Sequence, residues 1–165
     1  MMEYYSGMLV DHGNFRLIER VIGGKGGEAE VWKAEQIGIN QLVRAIKLRP
    51  PAKLTDRDAY QDLEINAESE TIKWATICSR SLYILNIYHM FTEIIEHENE
   101  SYIVIGQVSE FSEIGSIDTA TQSGTLQSYI SGELALLEFL ENIVSGISAG
   151  HAESIVHCDI KPANI

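Results

Sequence analysis

The segment His157-Cys158-Asp159-Ile160-Lys161-Pro162-Ala163-Asn164 sets a carboxylate, an ammonium and an amide at fixed spacing. An aspartate, a lysine two residues later and an asparagine three beyond that can converge on one phosphoryl group. The carboxylate accepts the proton of an attacking hydroxyl, the ammonium neutralises the moving charge, and the amide oxygen holds a metal ion. Singly, each has an ordinary use: a structural His, a capping Asp, a solvated Lys, a turn-forming Asn. In this order, directly after an amphipathic helical stretch, they read as one chemical unit. A zinc or iron site from His157, Cys158 and Asp159 is disfavoured, because neighbours in an extended loop point apart. Cys158 as a nucleophile has no motif around it.

Two upstream segments extend that chemistry. In Gly24-Lys25-Gly26-Gly27-Glu28-Ala29-Glu30-Val31, the glycines let the backbone fold tightly enough for its N–H groups to approach phosphate oxygens. It is not a Walker A loop, since no Gly-Lys pair is followed by Ser or Thr. A plain hairpin tip is the other reading. Its place between two strands, with Val31 after it and Lys47 one strand later, favours the phosphate role. Arg44-Ala45-Ile46-Lys47 ends an apolar strand run in a lysine, which is either solvated or held by a carboxylate.

The elements that must position these residues follow from periodicity. Phe15 to Ile22 and Glu30 to Ala34 read as a hairpin around the glycines, and Gln41 to Leu48 as a third antiparallel strand ended by Pro50-Pro51. A helix is expected from near Thr55 to Ile77, with Leu63, Ala67, Trp74 and Ile77 on one face. Glu70 falls on the same stripe. A carboxylate facing a core costs several kcal/mol unless paired, so it calls for a cation, and Lys47 is the natural one. Glu68, on a weaker stripe, is the second choice. Leu85 to Phe91 and Tyr102 to Val108 read as further strands joined by an acidic turn at Glu96 to Glu100. Ser109 to Gly124 is polar and reads as a linker or insertion. Gly132 to Gly150 is helical, with Ser131 as its expected N-cap. Ile155-Val156 is expected to be a short buried run.

Bulk composition narrows the classes. The 165 residues carry a net charge of −12, which repels nucleic acid and anionic membranes and favours basic protein segments. Cys78 and Cys158 make no disulfide framework and no zinc spacing, so a reducing, cytoplasmic setting fits best. The N-terminus has no signal-peptide pattern, and no stretch approaches the roughly 20 apolar residues a membrane span requires.

Taken together, these motifs resemble the eukaryotic-type protein kinase family, and Lys161-Pro162 resembles its serine/threonine branch. The resemblance implies an α+β fold: an antiparallel β-sheet N-lobe with a regulatory helix, then the first helices and catalytic loop of a helical C-lobe. It divides the chain into a leader (1–13), an N-lobe (14–108), a hinge-exit linker or insertion (109–126) and the start of the C-lobe (127–165). It implies ATP and Mg2+ as cofactors and a protein substrate with a Ser or Thr acceptor. Gly24, Gly26 and Gly27 would belong to the phosphate-covering loop, Val31 to the roof over adenine, and Ala45 to the same pocket. Lys47 would bind the α- and β-phosphates, held by Glu70. Ile105 would be the gatekeeper, with Gly106, Gln107 and Val108 as the adenine-binding hinge. Asp159 would be the catalytic base, Lys161 the phosphate-neutralising group and Asn164 a magnesium ligand.

Three departures stand out. Ala29 replaces the third loop glycine. Cys158 replaces the arginine that grips a phosphorylated activation loop, so dependence on such phosphorylation is not expected. The Ser109 to Gly124 stretch exceeds the usual hinge exit, which leaves the ribose contact unassigned. The Asp-Phe-Gly motif and the rest of the C-lobe are expected beyond Ile165. The piece alone is therefore expected to be inactive and marginally stable, with an exposed apolar face on its last helix. Two other functions stay open: a pseudokinase or scaffold without phosphotransfer, and a kinase-like phosphotransferase acting on a small molecule.

Overall fold

A computed structural model describes residues 2–22, 29–40 and 42–165. The strands are β1 (Leu9–Val10), β2 (Phe15–Ile22), β3 (Glu30–Gln36), β4 (Val43–Leu48), β5 (Ala52–Lys53), β6 (Ile87–His97) and β7 (Glu100–Glu110). The helices are α1 (Arg57–Cys78), α2 (Ile117–Gln122), α3 (Leu126–Tyr129) and α4 (Glu133–Ala152), and Pro162–Asn164 forms a 3-10 turn. Two compact units result: Met1–Trp74 with Asn86–Phe111, and Ala75–Leu85 with Ser112–Ile165.

The first unit is an antiparallel sheet ordered β1-β2-β3-β4-β7, with β5 and β6 also paired to β7. Side chains alternate along each strand, so the sheet has two distinct faces. One face carries Val10, Leu17, Ile46, Leu48, Val104 and Val108, all essentially inaccessible to solvent, in a cluster with Phe15, Trp32 and Phe91. The other receives α1, whose Tyr60 and Ala67 are buried against Ile103 and Ile105. Tyr60, rather than Leu63, opens the buried stripe, because Leu63 is 37% exposed. The stripe thus starts one turn earlier than the spacing of Leu63 and Ala67 indicates.

β6 and β7 run further than the sequence indicates. Their register continues to the pair His97↔Glu100, and the acidic turn narrows to Glu98 and Asn99, with φ of 50° and 63°. Two consecutive left-handed residues match the twist of a tight hairpin, and asparagine tolerates that backbone well.

Gly106 lies inside β7 because of packing. The Phe91 ring sits over its Cα, where any Cβ would collide with the ring tip. Replacing Gly106 by Ala is expected to destabilise the fold by about 1–3 kcal/mol, since the ring is held in the core. Chemical denaturation would register the loss, and an unchanged midpoint would refute it.

The turn from β1 to β2 is anchored differently. Asp11 and His12 both have φ of 55°. Their N–H groups donate to the two carboxylate oxygens of Glu93 at 2.9 and 2.8 Å. The Asp11 carboxylate in turn meets His89 Nε2 at 2.9 Å and accepts from Asn14 Nδ2 at 3.3 Å.

In the second unit α4 starts after Gly132, whose φ of 96° makes it the N-cap in place of Ser131. Gly146 and Gly150 are buried where Tyr83 and Ile155 carbonyls approach, leaving a Cβ at either site only 3.3 Å from those oxygens. Leu134, Leu137 and Val144 on α4 are exposed. The Ser109 to Gly124 stretch, read as a linker or insertion, holds α2, which is capped by Ser116 Oγ accepting from the Thr119 N–H at 3.3 Å, and α3 follows it. Val156, expected to be buried, is 66% exposed.

Candidate active site

On the first unit, residues opposite one another in antiparallel strands share a face. The register pairs Val31 with Lys47 and Lys47 with Gln107, and it pairs Lys33 with Ala45 and Ala45 with Ser109. One surface therefore carries Val31, Ala45 and Lys47 together with Gln107 and Ser109, and α1 packs on its inner part. Gly24, Gly26 and Gly27 lie outside the described residues.

Lys47 Nζ meets Glu70 Oε1 at 2.6 Å. Glu70, not Glu68, is its partner. The other oxygen, Oε2, accepts from Arg49 Nη2 at 2.7 Å, so a single carboxylate joins two cations. All three side chains are partly exposed, so solvent screens the attraction and the network contributes modestly to stability. Beside them, Gln107 Nε2 donates to Thr71 Oγ1 at 2.8 Å, which ties β7 to the residue after Glu70.

The expected gatekeeper and hinge do not sit at a strand end. Ile105 is 5% exposed and packs with Tyr60, Ala67 and Ile103. Gly106, Gln107 and Val108 pair with Leu48, Lys47 and Ile46 on one side of β7 and with Phe91, Met90 and His89 on the other. In a strand flanked on both sides, each N–H and C=O is committed to one neighbour or the other. All three therefore lie within the sheet rather than past its end. β7 ends at Glu110, four residues beyond Gly106, and Phe111 follows it with Lys33 Nζ 4.8 Å over its ring. The alternating apolar run Tyr102 to Val108 conceals this, because periodicity marks a strand's middle better than its end.

In the second unit the loop after α4 turns back on itself. Cys158 takes φ of 63°, and the N–H of Asp159 donates to His157 Nδ1 at 3.2 Å. The 3-10 turn, closed by the Asn164 N–H donating to Lys161 O at 2.8 Å, swings Asn164 onto Asp159. Asn164 Nδ2 donates to Asp159 Oδ2 at 2.8 Å, and Lys161 Nζ reaches the same oxygen at 2.8 Å. Asp159 Oδ1 accepts no hydrogen bond among the described residues. The Lys161 bond, then the Asn164 bond, hold this exposed carboxyl below the usual carboxylate value. The loop is tied to α2 by the Ile117 N–H donating to Ile165 O at 2.7 Å.

A magnesium ion fits the donor chemistry here. Asn164 spends its amide nitrogen on Asp159 and keeps its oxygen for a hard cation. Among the described residues no group of three His, Cys, Asp or Glu could hold a metal ion.

Arg49, Glu93 and Ser109 did not emerge from sequence reasoning. Arg49 was within reach: it lies two residues after Lys47, hence on the same strand face.

The chain thus combines an ion pair from β4 to α1 with an Asp-x-Lys-x-x-Asn loop after a long helix. Residues 18–165 match the protein kinase domain model, and the chain belongs to that family. It is similar to the serine/threonine-protein kinase PrkC of Bacillus subtilis (32% identity over 158 residues, 93% of this chain and 20% of that protein). It also resembles the probable serine/threonine-protein kinase PknB of Lactococcus lactis (24% over 160 residues, 92% of this chain and 21% of that protein). The chain thus spans about a fifth of the length of these curated relatives.

Proposed function

We propose that the chain is the ATP-binding and base-bearing part of a serine/threonine protein kinase. The observation that carries this reading is the grip of Lys161 and Asn164 on one oxygen of Asp159, which leaves the other oxygen open to a substrate proton. In the reaction, the acceptor hydroxyl loses its proton to Asp159 Oδ1, its oxygen bonds to the γ-phosphorus, and the bond from that phosphorus to the β-phosphate oxygen breaks. Lys161 balances the charge on the transferred group, and Lys47 holds the α- and β-phosphates. Magnesium, when bound at Asn164, supplies neutralisation of the phosphate oxygens. Requiring ATP and carrying two cysteines that form no disulfide, the chain suits the cytoplasm. No described helix is long and apolar enough to cross a membrane.

The adenine edge belongs, on this reading, at Ser109 to Phe111. Ser109 faces Ala45 across the ladder, and the paired strand ends one residue later. The test is nucleotide binding. Ser109→Phe is expected to weaken magnesium-ADP binding by about tenfold or more, as a filled pocket excludes its ligand. Unchanged affinity in the folded variant would remove the edge from this position. Transfer of γ-phosphate to Ser and Thr peptides, and not to Tyr peptides, tests the reaction itself. Nucleotide binding without transfer by the full-length protein would favour a scaffold.

A further inference from the structure

The pairing of Lys47 with Glu70 leaves a third charge to explain. Arg49, the residue after β4, reaches Glu70 from the same side as Lys47, because side chains two residues apart in an extended chain point the same way. Its backbone is fixed at both ends. The Arg49 N–H donates to Ile105 O at 3.0 Å, and its carbonyl accepts the Tyr4 hydroxyl at 2.5 Å. Burial pushes the Tyr4 phenol far above its usual value, so that donor keeps its proton. Pro50 follows and restricts Arg49 to extended backbone.

Each oxygen of Glu70 therefore has its own cation: Lys47 Nζ at 2.6 Å and Arg49 Nη2 at 2.7 Å. Both cations line one narrow cavity with Ala67, Thr71, Met90 and Ile105. A lone Lys–Glu pair is neutral, and withdrawing its lysine strands a carboxylate beside apolar side chains. Two cations on one carboxylate carry a net charge of one, so Lys47 can leave while Arg49 keeps Glu70 satisfied. Arginine suits the permanent post, because it stays charged and its planar fork is preorganised.

On the nucleotide-binding reading above, we propose that Arg49 is a positioning residue. It keeps Glu70 and α1 docked whether or not Lys47 is engaged, and so releases the Lys47 ammonium to an anionic phosphate chain. The docking of α1 is then separated from ligand binding, where a single pair would couple the two.

Hydrogen–deuterium exchange of α1, measured on the full chain with and without magnesium-ADP, tests this. Lys47→Met is expected to leave α1 exchange within about twofold of the parent, whereas Arg49→Met raises it about 3–5-fold, the upper range of a partly exposed ion pair. Arg49→Lys should fall between, since an ammonium makes one contact where the fork makes more. It decides the same question if Arg49→Met fails to fold. Magnesium-ADP affinity is expected to drop about 3–5-fold in Arg49→Met and to recover in part in Arg49→Lys. Parent-like α1 exchange in both Arg49 variants would overturn the proposal, as would Lys47→Met loosening α1 as much as Arg49→Met. Failure of the parent chain to bind magnesium-ADP would instead sink the nucleotide reading, while α1 exchange would still decide the hold of Arg49 on Glu70.

Discussion

Asp159→Asn in the full-length protein is expected to lower kcat for peptide phosphorylation by about 10²–10⁴, the usual cost of losing a general base. The substitution is informative because the local structure can survive it. Lys161 and Asn164 both donate to Oδ2, and an amide oxygen in that place accepts the same two bonds. What changes is Oδ1, which becomes an NH2 that cannot take a proton. KM for ATP should stay within a few-fold of the parent, because Asp159 is assigned to the acceptor hydroxyl. A variant with parent-like kcat would remove Asp159 from proton transfer. A collapse in ATP affinity with little change in kcat would assign it to nucleotide binding instead.

The same geometry fixes a pH dependence. Lys161 first, and Asn164 second, favour the ionised form of Asp159 and lower its pKa. For a depressed carboxyl, the favoured carboxylate persists above its ordinary pKa of about 4 and is lost only as pH falls through the lowered value. The acid limb that Asp159 imposes on kcat should therefore lie below about pH 4, leaving this group ionised across neutral pH. Removing the ammonium in Lys161→Met should move the carboxyl upward. Carbon-13 titration of the Asp159 side chain follows that directly, and no movement would separate Lys161 from the carboxylate.

Legibility in the sequence tracks how local the determining physics is. The loop from His157 to Asn164 spans eight residues, and its order alone suggested the convergence that the 3-10 turn produces through the Asn164 N–H. The Lys47–Glu70 contact was legible because a carboxylate on the packed stripe of a helix calls for a cation, a constraint acting across 23 positions. The end of β7 was not legible. Whether Gly106 to Val108 are free or paired depends on which partners flank them, and that is set by β4 and β6 rather than by their own residue types. The glycine at 106 misled in the same way. The resemblance assigned it to the adenine-binding hinge, while in the strand its requirement is room for the Phe91 ring. Short helices α2 and α3 were hidden because six and four residues give too little periodicity to register.

Glu93→Leu is expected to cost about 2–4 kcal/mol, an effect no motif would suggest. Glu93 is 8% exposed and lies on β6, far in sequence from the turn it holds. Its two oxygens take the N–H groups of Asp11 and His12, consecutive left-handed residues whose amides converge on one anion. Leucine fills similar volume but accepts nothing. Two donors then lose their partner while the strained backbone of the turn keeps its cost. A competing effect works the other way, since removing a poorly exposed charge also removes its desolvation penalty. Charge-assisted bonds to two backbone amides should outweigh it, because the carboxylate is well satisfied where it stands. Glu93→Gln separates the contributions: it keeps one acceptor and presents an NH2 to the other donor, so it should be destabilising, though less so than leucine. Thermal unfolding would show a Tm lower by roughly 5–15 °C for the leucine variant. A neutral or stabilised Glu93→Leu would mean that desolvation dominates and that the turn between β1 and β2 holds its shape without an anion.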